Sequence, residues 1–216
     1  MQFDQRIVVV TGAAGNLGRA VAAAFERLGA TVVRLDREAA DLRDANSVGQ
    51  AVDRVIGRHG RIDVLCNIAG AFRMGKPLHE TADADWDFLF DVNAKSVLNM
   101  CRAVVPAMLR NGGGKIVNVG AYAALKGVAQ MGAYVASKSV VIRLTETMAA
   151  ELRDKGINVN CVLPSIIDTP ENRAAMPKAD ARRWVAPHDL AAVIVFLASD
   201  AARAIHGAAI PVTGLA

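Results

Sequence analysis

The sequence predicts an α/β fold: a doubly wound parallel sheet with helices on both faces. Three observations carry that expectation. Short β-branched runs alternate with longer amphipathic stretches along the whole chain, the pattern of successive strand–helix–strand units. Hydrophobic residues make up 53% of the 216 and aromatic ones only 5%, so the interior is Ala, Val, Leu and Ile, as in a sheet buried on both faces. The first strand pattern also runs directly into a glycine-rich turn and a helix, a nucleotide-binding arrangement.

Taken in order, residues 7–10 form the first strand, and Gly12, Gly15 and Gly18 punctuate the turn that opens a helix ending at Gly29. Glycines spaced in this way let the backbone turn tightly and approach a pyrophosphate. The helix start, with Asn16 and Leu17, supplies unpaired N–H donors. A plain tight turn is the alternative; the position between strand and helix favours nucleotide binding. A second strand over 31–35 ends in Asp36, whose carboxylate suits the 2′ and 3′ hydroxyls of an adenosine ribose and repels a 2′-phosphate. Arg34 and Arg37 flank it and could hold that phosphate, so NAD(H) is preferred and NADP(H) stays open. The competing reading of Asp36 is a turn or cap residue.

Only residues 37–44 separate this strand from a helix that begins at Asn46 or Ser47. A parallel crossover needs about a dozen residues or more. The third strand-and-helix unit is therefore expected to be truncated, with Ala40, Asp41 and Leu42 lying as a loop over the adenine. The helix runs to about His59. The next strand, 62–67, ends in Asn67-Ile68-Ala69-Gly70, a small tip that lets a cofactor pass close to backbone. A helical stretch from Ala82 to Leu109, with room for a kink, contains Asn93, a mediocre helix former whose place there calls for a hydrogen bond, structural or in a proton relay. A strand over 115–119 is followed by a helix over about 131–155, a strand over 158–163, an irregular excursion over 164–187, a helix over 187–198 and a strand near 208–212. Without repeats or low-complexity tracts, residues 1–216 read as a single dinucleotide-binding domain with a short substrate cap at 165–187.

The chemistry centres on residues 120–138. Tyr134 and Lys138 are four apart, so on a helix they share one face. An ammonium beside a phenol favours the phenolate and lowers its pKa, which would let Tyr134 pass a proton near neutral pH. An isolated pair of this kind is usually a surface tyrosine and a solvated lysine, so the surrounding motifs decide. Composition excludes other classes. The formal charge of +4 is mild and spread out, with no basic run interleaved with aromatics, which argues against nucleic acid. No apolar run approaches the ~20 residues of a membrane span, and Arg6 leads straight into a strand with no leader pattern; membrane association is not expected. Cys66, Cys101 and Cys161 are odd in number, far apart and in apolar surroundings, which fits buried thiols in a reducing cytoplasm. The four histidines show no ligand spacing, so no metal site is expected.

Together, Thr11-Gly12 with its glycine turn, Asp36, Asn67 to Gly70, Asn93, Tyr134-x-x-x-Lys138 and the C-terminal stretch from Pro187 resemble the short-chain dehydrogenases/reductases, whose fold is Rossmann-type. That resemblance implies that Tyr134 is the proton donor or acceptor, and that Lys138 binds the nicotinamide ribose and tunes Tyr134. It implies that Asn93 holds a water in a relay, and that backbone from Pro164 to Ile166 and the Thr169 hydroxyl face the carboxamide. The sequence also departs from the family. The serine expected thirteen residues before the tyrosine is Ala121, preceded by Gly120, and the glycine turn reads Gly15-Asn16 rather than x-Gly. Losing a donor to a developing oxyanion costs about 10²–10³ in rate. The adjacent Tyr122 is expected to point elsewhere.

The strings around Ala121 and over 168–184 are similar to dihydropteridine reductase, a family member that also lacks the serine and reduces a quinonoid pterin with NADH. Two substrates therefore compete: a small carbonyl or alcohol, and a quinonoid, pterin-like acceptor. The alternative from another class is a catalytically weak nucleotide-binding sensor or subunit. Ala121, Tyr122, Asn172, Arg173, Met176 and Trp184 are candidates to line the substrate pocket, with packing of the cap as the competing reading for Met176 and Trp184 and a surface or capping charge as the preferred reading of Arg173. Apolar residues on more than one face of the helices over 97–109 and 131–150 suggest a homodimer or homotetramer.

Overall fold

The computed structural model describes residues 1–215; Ala216, the last residue of the expected domain, lies outside the described residues. Six strands, β1 Ile7–Thr11, β2 Thr31–Leu35, β3 Val64–Asn67, β4 Gly114–Val119, β5 Ile157–Pro164 and β6 Ala209–Val212, form one sheet in the order β2-β1-β3-β4-β5-β6. All five pairings are parallel. The helices are α1 Asn16–Arg27, α2 Ala45–His59, α3 Asp83–Phe90, α4 Ser96–Arg110, α5 Gly132–Leu152, α6 Pro170–Ala175 and α7 Pro187–Ala198.

Side chains of a strand alternate between faces, and here both faces are apolar. Val8, Val10, Val64, Cys66 and Val117 pack with Leu17, Val21 and Phe25 of α1 and with Leu190, Ile194 and Leu197 of α7. On the other face, Ile7, Val9, Leu65, Ile116 and Val159 pack with Val48 and Val52 of α2, Met100 and Val104 of α4, and Val141 of α5. Burying each such side chain contributes roughly 1.5–3 kcal/mol, so the two layers clamp the sheet between them.

The truncation expected after β2 is present. The chain passes from β2 to α2 without forming a strand, which leaves β2 at the sheet edge. Asp44 caps α2, its carboxylate accepting from the Asn46 and Ser47 amides at 3.1 Å each. Ala40 is buried, and Asn99 of α4 donates to the Leu42 carbonyl at 3.0 Å, pinning the short loop to the body.

Two elements differ from expectation. In the helical stretch over 82–109, the kink allowed for takes a form that was not foreseen, a single π turn over Asp91–Lys95 between α3 and α4. A π turn inserts one residue into the helical ladder and re-aims its side chains; here it carries Asn93, which is fully buried. The excursion over 164–187 contains α6, started by Thr169 as N-cap and Pro170 as first residue. That Thr-Pro pair was a readable helix start.

Candidate active site

The strand order reverses between β1 and β3, so their C-terminal tips flank a single crevice. Gly12 follows β1 with φ +62°, and a Cβ there would stand 2.9 Å from Ala69 Cα. A Cβ on Gly18 would overlap the Gly12 carbonyl oxygen and stand 2.7 Å from Ala13 Cα. Both positions therefore admit only glycine. Thr11 locks the two tips together, its Oγ1 accepting from the Ile68 and Ala69 amides at 3.0 and 3.1 Å. Gly15 is the N-cap of α1 and offers no side chain to cap it, so the helix opens with amides that an anion can complete. Asp36 stands beside this turn, Oδ1 accepting from the Ala14 amide at 2.9 Å. The donor set and the absence of Cβ bulk fit a nicotinamide dinucleotide.

The structure narrows two of the expected cofactor contacts. Arg34 turns away to Glu26 at 2.8 Å, leaving Arg37 as the flanking cation for a 2′-phosphate. Asp41 is engaged by Arg43, whose guanidinium holds its carboxyl down at about 2.

Across the crevice, Tyr134 and Lys138 occupy consecutive turns of α5. Lys138 is buried, with its Nζ donating to the Val119 carbonyl at 2.8 Å at the end of β4. A Cβ at Gly70 would lie 3.0 Å from that Nζ and 3.1 Å from Asn93 Oδ1, so the β3 tip, the lysine and the asparagine converge. Asn93 accepts from the Ala71 amide at 2.8 Å and donates to the Ala71 carbonyl and Ser137 Oγ at 3.0 Å each. Ser137 Oγ in turn donates to the Tyr134 carbonyl at 2.8 Å. Below this lies a second buried chain, Asn67 to Asn118 at 2.8 Å and Asn118 to Thr145 at 2.9 Å. Sequence reasoning passed over Ser137, Asn118 and Thr145. The available signal was polar residues at buried register positions, since Asn67 and Asn118 are paired across β3 and β4.

The electrostatics correct one expectation. The phenol of Tyr134 is not lowered by Lys138; burial pushes it up to about 12. Burial also pulls Lys138 down to about 8. The reason is geometric. The ammonium is directed at the Val119 carbonyl, and the Phe72 ring packs edge-on to the phenol at 4.8 Å between centroids, excluding water that would stabilise a phenolate.

Ala121 is 4% exposed and its methyl belongs to the core, while Tyr122 is 45% exposed, so Tyr122 does not take the place of a missing hydroxyl. The cap residues are largely committed to their own loop. Thr169 Oγ1 accepts from the Asn172 amide at 3.2 Å as the cap of α6, which leaves its hydroxyl hydrogen to donate elsewhere, and Asn172 Nδ2 donates to the Ile167 carbonyl at 2.8 Å. Arg173 is exposed and pairs with Asp168 at 2.6 Å as a surface charge, and Trp184 is buried, so packing wins there over lining a pocket. Met176 ends α6 half-buried. Pro164 pairs with Val212 in the sheet, and Ile166 is partly exposed beside it, its carbonyl accepting from the Val185 amide. One contact was not foreseen: Asn16 of the glycine turn donates to Glu171 of α6 at 2.8 Å, joining the cap to the opposite wall. All three cysteines are free and buried, and burial raises each thiol. Among the described residues no cluster of metal-ligating side chains occurs and no helix is long and apolar enough to cross a membrane.

A glycine turn at the switch point of a parallel sheet, an acidic residue ending β2 and a Tyr–Lys pair across the crevice define a dinucleotide-dependent oxidoreductase class. Residues 37–214 match the family model described as enoyl-(acyl carrier protein) reductase. D-threitol dehydrogenase of Mycolicibacterium smegmatis is 35% identical over 99% of this chain and 93% of its own length. The 3-oxoacyl-(acyl-carrier-protein) reductase of Thermotoga maritima is 32% identical over 99% of this chain and 98% of its own. Carveol dehydrogenase from Mycobacterium avium, solved in complex with NAD, superposes with a TM-score of 0.91 at 26% identity, covering 99% of this chain and 98% of that one. The chain belongs to the short-chain dehydrogenase/reductase family of NAD(P)-dependent oxidoreductases.

Proposed function

We propose that the protein interconverts an alcohol and a carbonyl on a small substrate, with NAD(H) preferred over NADP(H). The observation that carries this reading is the convergence of Tyr134, Lys138 and Asn93 on the β3 tip, facing a glycine turn flanked by Asp36. Gly12, Gly15, Asn16, Leu17 and Gly18 would cradle the pyrophosphate and Asp36 the adenosine ribose. Ala69 and Gly70 leave room beside Lys138, where the nicotinamide ribose would rest. The bound nicotinamide supplies or accepts the hydride. Tyr134 exchanges a proton with the substrate oxygen, Lys138 places positive charge beneath the site, and Asn93 fixes the backbone at Ala71 and, through Ser137, the first turn of α5. A nucleotide sensor would have no chemical use for this set, which argues for turnover. The relatives are named for reactions at carbon–oxygen centres, which supports the alcohol–carbonyl arm. The buried methyl of Ala121 is what favours the second arm, a quinonoid, pterin-like acceptor that needs less oxyanion help.

The same reading takes the chain as one domain acting in the cytoplasm as a homodimer or homotetramer, α4 offering the exposed Leu98 and Leu109 to a partner. Fluorescence titration with NADH and NADPH, followed by NADH oxidation assays with simple ketones and a quinonoid dihydropterin, tests the function. Tighter NADH binding and ketone turnover are expected. Binding without turnover of any acceptor would leave the sensor. Restoring the hydroxyl by Ala121→Ser is expected to raise a ketone reduction already measurable in the unmodified protein; ketone turnover that appears only in the variant, with pterin turnover unchanged, would reverse the choice between arms.

A further inference from the structure

We infer that the substrate is an apolar secondary alcohol or its ketone, alkyl or aryl, and that Phe72 selects it; this rests on the oxidoreductase reading above. Phe72 lies in the loop after β3, and its ring is in edge-on contact with the Tyr134 ring while remaining 55% exposed. Met74 and Leu78 of the same loop are 57% and 62% exposed. Two contacts seat this loop along the start of α5, where Tyr134 stands. The Gly75 amide donates to the Gln130 carbonyl at 3.0 Å, and a Cβ at Gly132 would meet Leu78 Cδ1 at 2.7 Å. The turn after β4 adds exposed Tyr122 and Leu125.

The charges of these loops do not offer a polar lining. Arg73 is held by Asp85 with its guanidinium stacked on Phe88, His79 faces Glu80, and Lys76 and Lys126 are solvated. A polyol arriving here would strip water from hydroxyls against Phe72, Met74 and Leu125, which return no hydrogen bond. An alkyl or aryl group instead buries area against Phe72, about threefold to fourfold in affinity for each methylene. In the oxidation direction the carbinol carbon gives its hydride to the oxidised nicotinamide and the hydroxyl gives its proton through Tyr134. Two electrons leave the alcohol and the ketone departs.

The test is a kcat/KM series with NAD⁺ on 2-butanol, 2-hexanol, 2-octanol and 1-phenylethanol against glycerol and D-threitol, read by NADH absorbance. Each added methylene is expected to raise kcat/KM about threefold. Phe72→Ser is expected to flatten the series and to move the acidic limb of the kcat profile to lower pH, because water then reaches the phenol that must be ionised to accept the proton. NADH binding, followed by fluorescence, is expected to change less than twofold. Faster turnover of threitol or glycerol than of 2-hexanol, or a flat series in the unmodified protein, overturns the inference and leaves the oxidoreductase reading standing. A series that keeps its slope in Phe72→Ser overturns the role of Phe72. Normal NAD⁺ binding with no alcohol oxidised, and no NADH oxidised by any ketone or by a quinonoid dihydropterin, overturns both.

Discussion

The two walls of the crevice are built by different means. On the glycine side, backbone meets backbone: Gly12 lies against Ala69, Gly18 against Gly12 and Ala13, and Thr11 ties the strand tips through two amides. On the tyrosine side the control is exerted by burial and by loop side chains, with Phe72 over Tyr134 and Val119 beneath Lys138. The first wall tolerates nothing larger than a hydrogen atom at two positions. The second tolerates substitution but re-tunes its chemistry. Variants on the two walls should therefore separate binding from turnover.

Tyr134→Phe should show the largest effect. Removing a general acid–base group costs about 10²–10⁴ in rate. The expected result is a fall of that size in kcat with the NADH titration unchanged; weakened NADH binding would erase the distinction between the walls. Gly18→Val should do the reverse. Its side chain has no space, and overpacking of this kind costs about 1–3 kcal/mol of stability. A lower midpoint of thermal unfolding together with NADH binding weakened by about tenfold or more is expected.

This division also explains what could be read from the sequence. The alternation of strands and helices, the missing third unit and the glycine turn follow from spacing and residue type, because local sterics and crossover length dictate them. The direction of the Tyr134 shift did not follow. It depends on where the Lys138 ammonium is directed and on Phe72, sixty-two positions away in the chain, and spacing on one helix reports neither. Asn93 shows the intermediate case: its misfit in a helix was legible, but the π turn and the contact with Ser137 needed tertiary structure. In the cap, Trp184 had a residue type suited to a pocket, yet burial claims it, while Arg173 sits in a surface ion pair as its residue type suggested.

Asp36→Ala sharpens the comparison at the edge of the glycine wall. A hydrogen bond to a charged acceptor contributes about 1.5–3 kcal/mol, so NADH should bind roughly tenfold or more weakly while NADPH loses less. Equal losses for both nucleotides would show that Asp36 supports the turn through Ala14 and does not discriminate at the ribose.

The smallest expected effect is a dependence on pH that only the tyrosine wall can produce. Burial holds Lys138 at about 8 in the native state against an ordinary value of 10.5. Between those values the unfolded chain carries a proton on this lysine that the native chain has released, so stability rises with pH across the window. That contribution is present above the unfolded value and is lost as pH falls through about 8. Its steepest slope is about 1.4 kcal/mol per pH unit. Tyr134 acts in the opposite sense, but only above pH 10, where an unfolded phenol ionises and the buried one does not. Denaturant unfolding of the unmodified protein and Lys138→Met at pH 7, 8, 9 and 10 isolates the lysine. Relative to the variant, the unmodified protein is expected to gain stability from pH 8 to pH 10. A constant difference would mean that Lys138 is solvated in the native state, and the contrast between a steric wall and an electrostatic one would fail at its buried end.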